Sequence, residues 1–354
     1  MKKLIYLLLT FSIFKSFSTL AGDHFYQVIS AHPHELKLIE SHYQTVKKEG
    51  RLWIVKSDQG NLSEKLKNVL RPLIGRERSY FPGHFSLKKR TFDLSEYLNQ
   101  VSPLDIRKDV EALSSFKTRA AGTEDNVNAS RWIETRLKDL GMKVSSQCYK
   151  HHECNVIGEM KGSSESAKVI LVVAHFDSVG KNFAGADDNG SGVAVMLEMA
   201  RVLRTYQNKH TLRFIATNGE ELGLVGAKHY VRSLDLNGEI SSVKLVINMD
   251  MVGYNKNGIV ELETNPEFDE LAHWFSELAK IYTGLTPKIT LGAWGSDHVP
   301  FLNKNIPALL TIEDWNTKTP CYHQACDLPE TLNYAYASEI GKLNLAAILT
   351  KDHL

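Results

Sequence analysis

Val169-Ile-Leu-Val-Val-Ala174-His175-Phe176-Asp177 is the stretch on which the fold turns. Its first six residues are apolar without interruption, rich in β-branched side chains and too few for a buried helix. They read as a strand covered on both faces. The runs Val156 to Met160, Leu212 to Ala216 and Leu245 to Met249 are near-continuous in the same way, and Val193, Met196, Leu197, Ala200 and Leu203 mark an amphipathic helix between two of them. Apolar strands alternating with helices predict an α/β domain: a mixed, mostly parallel central sheet with helices on both faces.

Upstream, Ser102 caps and Pro103 opens a helix that turns Ile106, Val110 and Leu113 inward. A second helix carries Ala129, Ile133, Leu137 and Leu140 on one face and stops at Gly141. The catalytic-sized domain spans 99–354. Before it, 22–98 reads as a small α+β module and linker. Phe25 to Ser30 and Arg51 to Lys56 are strands. Leu36, Ile39, Tyr43 and Val46 recur at helical spacing, and Leu66 to Leu73 is a short helix. From Gly75 to Gln100 the pattern breaks down around Pro82, Gly83 and Lys88-Lys89-Arg90, as in an exposed linker. Such a module reads as a prosegment that assists folding or covers a cleft until removed, or as a permanent N-terminal domain.

The chain has 354 residues, 43% of them hydrophobic and 23% charged, which excludes a largely disordered protein. Its net charge of +1 gives no footprint for nucleic acid. Lys2 and Lys3, the apolar run Leu4 to Phe14 and the small residues up to Ala21 form a secretory signal over 1–21, too short for a membrane span. Without that segment the charge becomes −2. A secreted or periplasmic destination suits the four cysteines, Cys148, Cys154, Cys321 and Cys326. Four cysteines allow three connectivities. Local pairing is expected, with Cys148 and Cys154 facing each other across a hairpin. A zinc knuckle with His151 and His152 is disfavoured by the spacing.

Three buried strands run into metal-binding side chains: His175-Phe176-Asp177, Asn218-Gly219-Glu220-Glu221 and Asp250. The carboxyl ends of the strands are where open α/β sheets bind ligands. His175 and Asp177, two apart in an extended segment, leave one face together, so Asp177 can fix the tautomer of His175. Gly185-Ala186-Asp187-Asp188-Asn189-Gly190-Ser191-Gly192 is a tight turn with two adjacent carboxylates, one of which could bridge two cations. It lacks the lysine of a phosphate loop and the closing glutamate of a calcium hand. Glu220 and Glu221 must diverge, which suits one for metal binding and the other for general-base work. An acidic helix start is the plainer reading of that pair.

Together with His323, these residues resemble, in order, the two-zinc exopeptidase family of bacterial leucyl aminopeptidases, whose fold glutaminyl cyclases share. The likeness runs from about Ser102 to the C-terminus and includes Leu113-Ser-Ser-Phe-x-x-Arg119-x-x-Gly122. It implies two Zn²⁺ ions bridged by Asp187, one also held by His175 and Asp250 and the other by Glu221 and His323. Glu220 would be the general base, Asp177 the partner of His175, and Asp188 would follow a cis peptide bond that aims Asp187. Asp297 and His298, in Ser296-Asp297-His298, would support the centre. Met251, Trp294, Phe301 and Tyr322 would line a pocket for an apolar first residue such as Leu. Gly292-Ala293-Trp294-Gly295 lacks the tyrosine that some family members carry there. The implied protein is a monomeric secreted aminopeptidase acting on peptides with free N-termini. Its rivals are a one-zinc glutaminyl cyclase and a binding ectodomain that has lost catalysis.

Overall fold

The computed structural model describes residues 24–28, 33–49, 52–57, 66, 70–72, 93–150, 152–180 and 182–353. The expected signal segment and the run Lys88-Lys89-Arg90 lie outside them. The chain forms two compact units, 1–82 and 83–354. Among the described residues no helix is long and apolar enough to cross a membrane.

The first unit contains β1 (His24–Val28), α1 (Pro33–His42), β2 (Gln44–Glu49), β3 (Leu52–Ser57) and β4 (Leu70–Pro72). Its antiparallel sheet has the order β2-β3-β1-β4. Two expectations fail here. The helix ends at His42, and Val46 belongs to β2, at the irregularity between Thr45 and Lys47, which pair with Val55 and Ile54 of β3. Leu70–Pro72, expected as helix, is an edge strand on β1, a place where proline's missing N–H costs no ladder bond. Tyr26, Ile39, Val55, Leu66 and Leu70 are buried.

In the second unit, α2 (Ser95–Leu98) occupies a stretch expected as linker. α3 (Pro103–Ser114) starts where Ser102 Oγ accepts the Asp105 N–H at 3.2 Å, and α4 (Glu124–Asp139) is capped by Thr123 in the same way. The strands are β5 (Lys143–Lys150), β6 (Glu153–Met160), β7 (Val169–His175), β8 (Thr211–Thr217), β9 (Val243–Met249), β10 (Ile259–Thr264), β11 (Thr286–Leu291) and β12 (Ala308–Glu313). They form one mixed sheet of order β11-β10-β12-β9-β7-β8-β6-β5. Four neighbouring pairs are parallel, among them β9-β7 and β7-β8. Every residue of β7 is buried, which requires cover on both faces. The other helices are α5 (Gly192–Leu203), α6 (Val225–Leu236), α7 (Asp269–Tyr282), α8 (His298–Asn303) and α9 (Tyr334–His353).

The sequence suggests that α5 is amphipathic. It is buried at every position except Arg201, because it is wedged between the sheet and the outer helices α3 and α9. Its polar member, Glu198, is held by Arg201 at 2.7 Å. The topology has one outcome that matters for the site: β9, β7 and β8 lie side by side and parallel, so the residues after their carboxyl ends share one rim.

Leu197, fully buried on α5, tests the importance of this wedge. Leu197→Ala should lower stability by about 2–5 kcal/mol, read from the urea-unfolding midpoint at unchanged slope.

Candidate metal centre

β7 delivers His175 to the rim. Its Nδ1 lies 3.0 Å from the Asp177 carbonyl oxygen and 3.6 Å from Asp177 Oδ1. With that nitrogen engaged as donor, Nε2 is left as the metal-binding atom. It faces Asp188 Oδ1 at 3.3 Å and Asp250 Oδ1 at 3.5 Å. The Asp177 carboxylate accepts the backbone N–H groups of Glu220 (3.1 Å) and Glu221 (3.2 Å), so one residue fixes both the imidazole and the turn after β8. Asp250 follows β9. Its Oδ2 accepts a hydrogen bond from Ser296 Oγ at 2.7 Å, and Ser296 is itself held by Asn248 at 2.8 Å. That aims Oδ1 at the centre.

The donors fall into two groups, each with its atoms within 4.8 Å of one another: His175, Glu220 and Asp250, and Asp188, Glu221 and His323. His323 Nε2 lies 3.1 Å from Asp188 Oδ2 and 3.2 Å from Glu221 Oε2. Asp188 therefore turns one oxygen toward each histidine.

That position corrects the assignment of the bridge to Asp187. The Asp187 carboxylate points away and accepts the Gly253 N–H at 2.8 Å, with Glu313 beside it. The cis peptide bond follows Asp188, joining it to Asn189, instead of preceding it. Neighbouring side chains in this turn diverge, and the support beneath selects which one faces the metal side. Asp327 accepts the N–H groups of both Asp187 (2.8 Å) and Asp188 (3.0 Å). Gly192 closes the turn where a Cβ would come within 2.3 Å of Asn189 Oδ1 and 2.7 Å of the Met249 carbonyl oxygen. Only glycine fits that approach.

Arg119 holds the scaffold from below. It is fully buried and donates to the carbonyl oxygens of Phe176 (2.8 Å), Leu113 (3.1 Å), Gly185 (2.7 Å) and Ala184. Burial lowers its pKa to about 10, and it remains a cation. Sequence marked Arg119 only as part of a motif and passed over Asp327. The adjacent Cys326 was the available sign for Asp327. Cys321–Cys326 is a disulfide that brackets His323, and Cys148–Cys154 bridges paired positions of β5 and β6.

Crowded acids dominate the electrostatics. Burial raises Glu220 well above the usual range and Glu221 to about 7. Burial alone would depress His323, but the hydrogen bonds it donates to Asp188 and Glu221 lift it to about 10. Burial works against His175 too, yet the negative charges of Glu220 and Asp250 raise it well above its ordinary value. Burial opposes ionisation of Asp188, yet both histidines hold its pKa well below normal. His175 Nε2, Asp250 Oδ1 and Glu221 Oε1 are buried and have no hydrogen-bond partner among the described residues. Orphaned donor atoms in a nest of excess negative charge fit divalent cations, and mixed nitrogen and oxygen ligation suits zinc.

The remaining selected residues divide. Met251 is buried with Leu310 and Ile312, and Tyr322 packs against them. Trp294 is half-buried, its ring 6.3 Å from that of Trp315, a residue that sequence passed over. Phe301 is no pocket residue: it is fully buried on α8 with its ring 6.2 Å from Tyr230, a core position. Asp297 accepts a hydrogen bond from Thr217, and burial raises it to about 7. His298 lies 3.2 Å from Glu263, both fully buried.

Fold and centre together define a metal-binding α/β domain. Residues 155–348, more than half of the chain, match peptidase family M28, and the chain belongs to that family. An aminopeptidase of Bacillus subtilis, YwaD, is 34% identical over 221 residues, covering 60% of this chain and 48% of its own. A probable leucine aminopeptidase of Trichophyton verrucosum is 28% identical over 275 residues, 71% and 74% of the two chains. The chain thus spans about half the length of the first relative and about three quarters of the second. In fold, LapB from Legionella pneumophila superposes with a TM-score of 0.70 at 19% identity, over 93% of this chain and 99% of that one. A zinc aminopeptidase from Bacillus subtilis gives 0.63 at 22%, over 71% and 95%.

The place of Asp188 is testable by divalent-metal affinity in chelator competition. Asp188→Asn should weaken binding by about 100-fold or more, whereas Asp187→Asn, which keeps an acceptor for Gly253, should stay within about tenfold of wild type. The reverse order would return the bridge to Asp187.

Proposed function

We propose that the chain is a secreted zinc aminopeptidase that hydrolyses the first peptide bond of peptides with free N-termini and accepts apolar first residues such as Leu. The observation that carries this reading is the Asp188 carboxylate, with an oxygen 3.3 Å from His175 and another 3.1 Å from His323, which links the two groups of donors. Two groups, not one, weigh against a one-zinc cyclase. The retained donors and acid weigh against a binding module without catalysis.

In this reading His175, Asp250 and Asp188 hold one zinc, and Glu221, His323 and Asp188 the other. Zinc bound there would acidify water and polarise the scissile carbonyl. Glu220 is the general base. Its carboxylate is kept weakly acidic by burial, so it takes the proton as the water oxygen adds to the carbonyl carbon. It returns that proton to the amine nitrogen as the C–N bond breaks. Asp177 keeps Glu220 in place through its backbone N–H and holds the His175 tautomer. Carboxylates at the centre receive the substrate's α-ammonium. Met251, Trp294 and Tyr322 wall the pocket for the first side chain. The proposal extends to export directed by residues 1–21, to a removable segment over 22–98 and to action as a monomer.

Leu-anilide hydrolysis should vanish with chelator and return with added zinc. Glu220→Gln should lose about 100-fold or more in kcat while binding as much metal as wild type; near-normal turnover would remove Glu220 from its role. Sequencing the N-terminus of the secreted, active protein should find a start beyond residue 22, near 98. A fully active form beginning at Gly22 would discard the prosegment.

A further inference from the structure

One apolar face runs from one donor group to the other. Met251 directly follows Asp250, and Trp315 and Tyr322 pack on the cluster of Met251, Leu310 and Ile312. The Tyr322 ring stacks on the His323 imidazole, 3.8 Å between centroids and 24° between planes. Trp315 meets Tyr322 edge-on at 5.4 Å. Both rings are half-buried, so this face is open to a side chain entering beside the centre.

Onto it the chain lays a cation. Lys318 Nζ sits 4.3 Å from the centroid of Trp315 and 5.8 Å from that of Tyr322, two ring contacts from His323. Among the described residues its ammonium makes no ion pair. The nearby acids are occupied: Asp314 and Glu261 hold Lys288 at 2.9 and 3.0 Å, and Glu313 accepts the Thr319 N–H at 2.7 Å. An ammonium held by aromatic faces keeps its full charge toward whatever else approaches.

We propose that Lys318 sets the preference of this apolar pocket among charged first residues, favouring a side chain that ends in a carboxylate over lysine or arginine. The inference rests on the aminopeptidase reading above. An acidic side chain lying along Trp315 and Tyr322 directs its carboxylate toward Nζ. A basic one brings two like charges together where water is partly excluded, so the same residue supplies attraction for one class and repulsion for the other.

The test compares kcat/KM for Glu-, Leu- and Lys-anilides in the full chain, in Lys318→Met and in Lys318→Glu, with zinc content and circular dichroism reporting folding. The wild type should favour Glu over Lys by about tenfold or more. Lys318→Met should bring that ratio toward one, and Lys318→Glu should invert it. A ratio in Lys318→Glu equal to that of wild type overturns the inference. If that variant does not fold, Lys318→Met, whose stem still covers Trp315, decides by the same comparison. A wild type that cleaves Leu-anilide but not Glu- in preference to Lys-anilide overturns the charge role alone. Cleavage of none of them overturns the aminopeptidase reading and this inference with it.

Discussion

A carboxylate shared between two imidazoles is the constraint on which the rest of the structure depends. Asp188 meets His175 with one oxygen and His323 with the other, and it joins two histidines that lie far apart in the chain. The two arrive from the end of a central strand and from a disulfide-closed loop, with about 150 residues of chain between them. Bringing so many acids into a buried rim is unfavourable unless cations or protons compensate, which is what the raised Glu220, Glu221 and His323 record.

Supports answer that cost one by one. Asp177 serves His175 and the Glu220-Glu221 turn, Ser296 serves Asp250, Asp327 serves the Asp187-Asp188 backbone, and Arg119 gathers the loops beneath them. His175 and Asp250 each have one atom committed to the protein, which leaves the opposite atom free in a fixed direction. The parallel run β9-β7-β8 makes this possible, because it lines up three strand ends without requiring a long excursion of the chain.

Much of this could be read in advance, and the failures have physical causes. β7 announces itself as an unbroken apolar run, and β8 and β9 as near-continuous ones interrupted by Arg213 and Asn248. β10 does not, because Glu261 and Glu263 sit in it fully buried, compensated by Lys288, Thr290 and His298 from elsewhere. Residue type placed the donors at strand ends. It could not tell Asp187 from Asp188, since a turn with irregular dihedrals has no period from which to read a side chain's direction. Phe301 and Tyr322 look alike as aromatics near late loops, and only packing separates a core ring from one beside His323. In the first unit, the helical spacing that reached Val46 lost to the pairing of β2 with β3, a long-range gain that local pattern does not contain.

The ring closed by Cys321 and Cys326 holds His323, and the next residue along is Asp327, which braces the backbone of the very carboxylate that His323 faces. A single covalent closure therefore governs both halves of one contact. Reducing that one bond would loosen the segment that presents His323 and the segment that steadies the Asp188 backbone together, so the two sides of the contact share one tether.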